Sequence, residues 1–157
     1  MRSVRTQPLG LALTFGQLIG NWPCFRPPWG QLMAVNAATG DFAWRVPLGI
    51  TESLPAGKQN TGTQSLAGPM ATAGGLVFIG ATNYDKKFRA FDKKTGKLLW
   101  ETTMPFAGNG TPATYEIDGR QYIVIAASGG GVLHNQRNTR APQQGASYIA
   151  FALPSAK

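Results

Sequence analysis

Histidine and cysteine are almost missing from this chain of 157 residues, which holds one of each, His134 and Cys24. A single cysteine cannot close an internal disulfide, and one histidine with one cysteine cannot build a zinc site or a histidine-based metal cluster. Acids are also scarce, seven against fifteen basic residues. They are scattered: Asp41, Asp92 and Asp118 fall in or beside turns, Glu52, Asp85 and Glu101 in loops or at strand ends, and Glu116 on a hairpin. Calcium asks for six to eight oxygens at one point, and no run of acids here supplies them. After residue 20 no segment carries the 3.6-residue apolar period of an amphipathic helix. The apolar run Leu9–Ile19 is interrupted by Thr14, Gly16 and Gln17, too short and polar to cross a bilayer. Behind the basic stretch Met1–Arg5 it resembles a weak signal peptide without a clean cleavage site, and part of a preceding blade, or a misassigned start, is the favoured reading.

What is present is a repeat. Ala34-Val-Asn-Ala-Ala-Thr-Gly-Asp-Phe-Ala-Trp44 returns as Ala90-Phe-Asp-Lys-Lys-Thr-Gly-Lys-Leu-Leu-Trp100, 56 residues further on. Each copy predicts a hairpin: a strand over Leu32–Val35 or Phe88–Phe91, a reversal over Asn36–Gly40 or Asp92–Gly96, and a return strand through Trp44 or Trp100. Asn or Asp opens the turn by accepting bonds from amides just downstream, and glycine closes it at a positive φ. The tryptophans offer a wide apolar face and one N–H, suited to docking one unit on the next. A fixed period of this kind marks stacked units that cannot bury their faces alone.

More hairpins follow. Met70–Ala73 and Leu76–Ile79 flank Gly74-Gly75, and Ala113–Ile117 and Arg120–Ala127 flank Asp118-Gly119, a type I′ signal. Ser147–Leu153 alternates as a closing strand. The chain reads as all-β, a partial β-propeller: one four-stranded blade over Pro69–Thr103 with a half-blade on either side, preceded by an unassigned segment 1–20. A propeller needs roughly 4–8 blades, so the expectation is a section of a larger ring whose remaining blades lie upstream. Alone, it would leave docking faces bare and would be poorly soluble or associated.

Beyond the repeat, Pro23-Cys-Phe-Arg-Pro-Pro-Trp-Gly30, Leu66–Gly80, Thr111–Tyr115 with Gly119–Ala127, and Tyr148–Pro154 occur in the order found in quinoprotein dehydrogenases, which the chain resembles over about residues 21–154. The resemblance is to their glucose/quinate/shikimate branch. It implies an eight-bladed propeller that oxidises an alcohol, sugar or polyol hydroxyl. The cofactor would be pyrroloquinoline quinone (PQQ) with a bound Ca²⁺ near the axis, electrons would pass to a quinone or cytochrome, and the location would be the periplasm. The family's catalytic aspartate and calcium-ligating carboxylates fall in earlier blades, so no catalytic or metal residue is placed here and the chain alone is expected to be inactive. Two stretches are candidates for cofactor contact, Leu66-Ala67-Gly68 and Gly130-Gly131. Methanol-dehydrogenase relatives carry a tryptophan where this chain has Leu66, which weakens a stacking role. The alternative function is a non-catalytic propeller scaffold, such as the outer-membrane assembly lipoprotein built from related repeats.

The formal charge of +8 is concentrated at Lys86, Lys87, Arg89, Lys93, Lys94 and Lys97. A solvated blade edge that discourages strand addition accounts for it, and no nucleic-acid partner is expected. His134 reads as a loop residue. Cys24 is open between a buried thiol and a pairing partner for an upstream cysteine. The polar loop Ile50–Leu66 is either a wall of the substrate mouth or plain surface.

Overall fold

A computed structural model describes residues 17–18, 22–23, 25–63, 65–80, 85–128 and 145–153. Among these every regular element is a strand. Two short strands, β1 (Gln17–Leu18) and β2 (Trp22–Pro23), pair with each other. β3 (Gln31–Val35) and β4 (Phe42–Pro47) form the first of three larger sheets. The second sheet is four-stranded in chain order: β5 (Pro69–Ala71), β6 (Leu76–Ile79), β7 (Lys87–Asp92) and β8 (Leu98–Thr103). The third holds β9 (Ala113–Ile117), β10 (Arg120–Ala127) and β11 (Ser147–Ala152), with β10 in the middle. All pairings are antiparallel. The full blade therefore spans Pro69–Thr103, as its spacing predicts.

The two repeat turns share one construction. Asn36 Oδ1 accepts the Ala38 N–H at 2.9 Å, and the Gly40 N–H closes on the Asn36 carbonyl at 2.8 Å. In the second copy Asp92 Oδ1 accepts from the Lys94 and Thr95 amides and the Thr95 hydroxyl, and Gly96 N–H reaches the Asp92 carbonyl at 2.9 Å. Gly40 and Gly96 sit at φ +79° and +71°, which a Cβ disfavours. Both copies also carry a bulge at the same place, Ala34/Val35 and Ala90/Phe91. At the third hairpin Asp118 and Gly119 both have positive φ, 52° and 72°, as a type I′ turn requires. One boundary differs from expectation. β5 stops at Ala71, because Thr72 turns inward: its amide donates to the Leu76 carbonyl and its hydroxyl accepts the Leu76 N–H. The turn is thus Thr72–Gly75 rather than two glycines alone.

The sheets stack in chain order, and each gap between them is filled by its own core. Leu32, Trp44 and Val46 of the first sheet meet Val77, Ile79 and Phe91 of the second, with Leu48 and Ala67 closing the cluster. Met70, Phe78 and Phe88 from the other face of the second sheet meet Ile123, Ile125, Ile149 and Phe151 of the third, around Met104. Strand alternation accounts for this division: Phe88 and Ala90 point one way, Arg89 and Phe91 the other. The same repeat position therefore has opposite fates at the two ends of the stack. Phe88 is 0% exposed, whereas Tyr148, its equivalent in β11, is 85% exposed, with no sheet among the described residues beyond it. Phe91 is 3% exposed and its equivalent Val35, on the open face of the first sheet, 51%.

Candidate functional site

The innermost edge of the stack is defined by glycines. Leu66-Ala67-Gly68 leads directly into β5, and Asn109-Gly110-Thr111 leads, through Pro112, into β9. These equivalent stretches lie side by side, because a Cβ added at Gly68 would overlap the Thr111 hydroxyl. One strand over, a Cβ at Gly80 would overlap the Gly108 carbonyl. Adjacent blades come this close because glycine leaves room for a neighbouring hydroxyl or carbonyl, the kind of contact expected where propeller blades narrow towards their axis. The predicted cofactor residues Leu66, Ala67 and Gly68 are therefore brought to the converging edge. Leu66 stands 55% exposed there. Gly130 and Gly131, like Cys24 and His134, lie outside the described residues.

Ala67 also lines a cleft of about 420 Å³ between the first and second sheets, together with Trp29, Gln31, Thr63, Ser65 and Ile79. The loop from Ile50 runs mostly exposed over residues 51–60 and turns inward only near its end. Thr61, Gly62 and Thr63 are buried. The Trp29 N–H donates to the Thr61 carbonyl at 2.6 Å and the Thr63 N–H to the Leu48 carbonyl at 2.8 Å. Thr63 Oγ1 is buried without a partner.

Two features were not foreseen from the sequence. The first is Asp85. It lies in a turn just before β7, as its sequence position suggests, but it is buried, accepting from the Arg89 guanidinium at 2.6 Å, the Ile50 amide at 3.3 Å and the Lys87 amide at 3.1 Å. Arg89 is correspondingly not part of a solvated basic edge: its side chain is 5% exposed, and Glu101, which also pairs with Lys87, approaches its Nε at 3.4 Å. Its place beside Phe91 on the inward face of β7 was the available signal. The bond from Ile50 makes this pair a clasp between blades. The second is Asn109, whose amide nitrogen and oxygen are both buried and unpartnered. Among the described residues no group of three or more His, Cys, Asp or Glu could hold a metal ion.

Among the described residues one carboxyl titrates away from its ordinary value, in the second repeat turn. The Thr95 hydroxyl and amide, then the Lys94 amide and charge, hold the Asp92 carboxyl below its ordinary 3.8, against a small opposing effect of burial.

Radially stacked antiparallel sheets with a converging, glycine-lined inner edge define a section of a β-propeller. The chain matches the family described as "PQQ: Glucose/ethanol/alcohol dehydrogenase, beta-propeller domain" over residues 2–123. It is 40% identical to quinoprotein glucose dehydrogenase A of Acinetobacter calcoaceticus over 140 residues, 86% of this chain and 16% of that protein. It is likewise 40% identical to the quinate/shikimate dehydrogenase (quinone) of Acinetobacter baylyi over 139 residues, 83% of this chain and 16% of that protein. In three dimensions it superposes on quinohemoprotein alcohol dehydrogenase from Comamonas testosteroni with a TM-score of 0.58 and 28% identity, covering 78% of this chain and 16% of the other. The chain belongs to the PQQ-dependent dehydrogenase β-propeller family. It spans about a sixth of the length of the relatives it matches.

Proposed function

We propose that residues 21–157 form the closing section of a PQQ-dependent dehydrogenase propeller that oxidises an alcohol, sugar or polyol hydroxyl. The observation that carries this reading is the inner edge: two equivalent stretches, 66–68 and 109–111, brought together at the channel in a chain of this family. Further blades upstream cover the open faces at Val35 and Tyr148 and complete the ring. When bound, PQQ supplies a quinone that takes up the two electrons leaving the substrate carbon. The described residues fit such a flat, oxygen-rich group in two respects: Leu66 is open, and the Asn109 amide lacks a partner. Leu66, Ala67 and Gly68, with Gly130 and Gly131, would form one wall of its site.

This section holds and orients rather than reacts. Two of its acids are engaged, Asp92 in its turn and Asp85 in the clasp, and the family resemblance assigns the base that removes the substrate proton and the carboxylates for Ca²⁺ to the upstream blades. The family resemblance further suggests a periplasmic location and electron delivery to a quinone or a cytochrome.

The test is dye-coupled oxidation of glucose, quinate and simple alcohols by the whole polypeptide that carries this chain, purified without cofactor. Activity that appears only when PQQ and Ca²⁺ are added together is the expected result. Absence of PQQ binding would replace the enzyme by a scaffold.

A further inference from the structure

Buried amides in folded proteins are nearly always hydrogen-bonded, because leaving one unpaired forfeits its hydration with nothing in return. Asn109 breaks that rule at both ends of its side chain. Its place is specific. Backbone neighbours hold the segment rigidly: the Ser128 N–H donates to the Ala107 carbonyl at 3.1 Å, and a Cβ at Gly108 would press on Met104 and Ile125. Counting back from Pro69, the first residue of β5, and Pro112, the residue before β9, Asn109 occupies the position that Leu66 holds in the preceding blade. The contact of Gly68 with Thr111 puts the two stretches next to each other. The end of the third sheet that carries Asn109 also carries Ser147, paired with Ala127, whose hydroxyl is buried and unpartnered too. Two side chains with unpartnered polar atoms thus lie at the same end of the third sheet.

Building on the functional reading above, we propose that Asn109 is a ligand-anchoring residue whose side-chain NH₂ donates to an oxygen of the quinone cofactor. A neutral amide suits this task. Its N–H groups can meet a carboxylate or quinone oxygen, and it brings no negative charge towards a cofactor that carries three carboxylates. A hydrogen bond to a charged oxygen is worth about tenfold or more in affinity.

The test compares N109L, which keeps the shape and removes the polarity, with N109D, which keeps the shape and reverses the preference. Both are made in the whole polypeptide that carries this chain, in its cofactor-free form. PQQ affinity is read by titration of the intrinsic tryptophan fluorescence, and apoprotein stability by urea unfolding. The expected result is a PQQ affinity lowered about tenfold or more in N109L and further in N109D. The urea midpoint of the N109L apoprotein should stay unchanged or rise, because the amide has no partner to lose before the cofactor arrives, whereas N109D buries an unpaired carboxylate and lowers it. Affinities equal to the parent's overturn the inference and leave the functional reading intact. So does an affinity loss in N109L matched by an equal loss of its apoprotein stability, since that marks an amide bonded within the protein. A parent that does not bind PQQ overturns the functional reading itself.

Discussion

The indole N–H of Trp44 donates to the carbonyl of Lys93 at 2.9 Å, 49 residues away in the next blade. The same ring covers Gly96, where an added Cβ would come within 2.6 Å of its atoms. One repeat turn is thus the receptor for the tryptophan of the previous repeat, and the residues that form the turn also form the dock.

Gly40 and Gly96 separate the two roles. Both have positive φ, but nothing lies within 4 Å of a Cβ at Gly40. Gly40→Ala should cost only the left-handed strain of about 1–2 kcal/mol. Gly96→Ala should cost about 1–3 kcal/mol more, because it also displaces Trp44. Urea unfolding of both variants gives the difference, and equal costs would remove the receptor role of this turn.

Trp44→Ala should destabilise by about 3–5 kcal/mol. Trp44→Phe, which keeps most of the apolar face and loses the bond to Lys93, should cost about 1–2 kcal/mol. A Phe variant as damaged as the Ala variant would mean that the bond, not the packing, dominates the dock.

Arg89 and Lys87 lie two residues apart and should respond very differently. Arg89→Met strands the buried Asp85 carboxylate and should cost about 3–5 kcal/mol. Lys87→Met breaks only the partly exposed pair with Glu101 and should cost no more than about 1 kcal/mol. The same unfolding measurement reads both.

Asp92 predicts a pH effect with a definite sign. Its folded-state carboxyl is held below 3.8 first of all by the Thr95 hydroxyl. That stabilisation is complete above the ordinary carboxylate range and disappears as pH falls through the lowered folded-state value. In Thr95→Val the Asp92 carboxyl should titrate closer to 3.8, as followed by carbon-detected NMR, and stability should change less between neutral and acidic pH. An unmoved titration would assign the shift to the backbone instead.

The open faces should make the chain of 157 residues associate when it is alone. Val35→Lys with Tyr148→Lys, placed on opposite ends of the stack, should shift sedimentation towards monomer. Unchanged sedimentation would show that neither face mediates the contact.

The strands were legible because alternation and turn chemistry are local. Asn36, Asp92 and Asp118 with their glycines mark the reversals, and the repeated frame marks the stacking. The site was less legible because it is made by convergence rather than by motif. Leu66–Gly68 could be singled out only through family likeness, while Asn109 sits in an unremarkable Gly-Asn-Gly whose meaning depends on which blade edge it meets. Asp85 and Arg89 looked like ordinary surface charges since no sequence period announces that two of them share one buried gap. The basic cluster was accordingly misjudged at Arg89 alone, the one member whose strand parity points inward.

Each sheet presents Leu32- or Phe88-type residues forward and Phe91-type residues backward, so the stack has a direction, like a row of hooks and eyes. Two identical ends cannot fasten to each other. Such a surface can either curve until its first hook finds its last eye, giving a ring of fixed membership, or continue indefinitely as a fibre. What separates those outcomes is the angle set at the glycine-lined edge. A bulky residue at Gly68 or Gly80 would therefore act on assembly geometry before it acted on the stability of any one sheet.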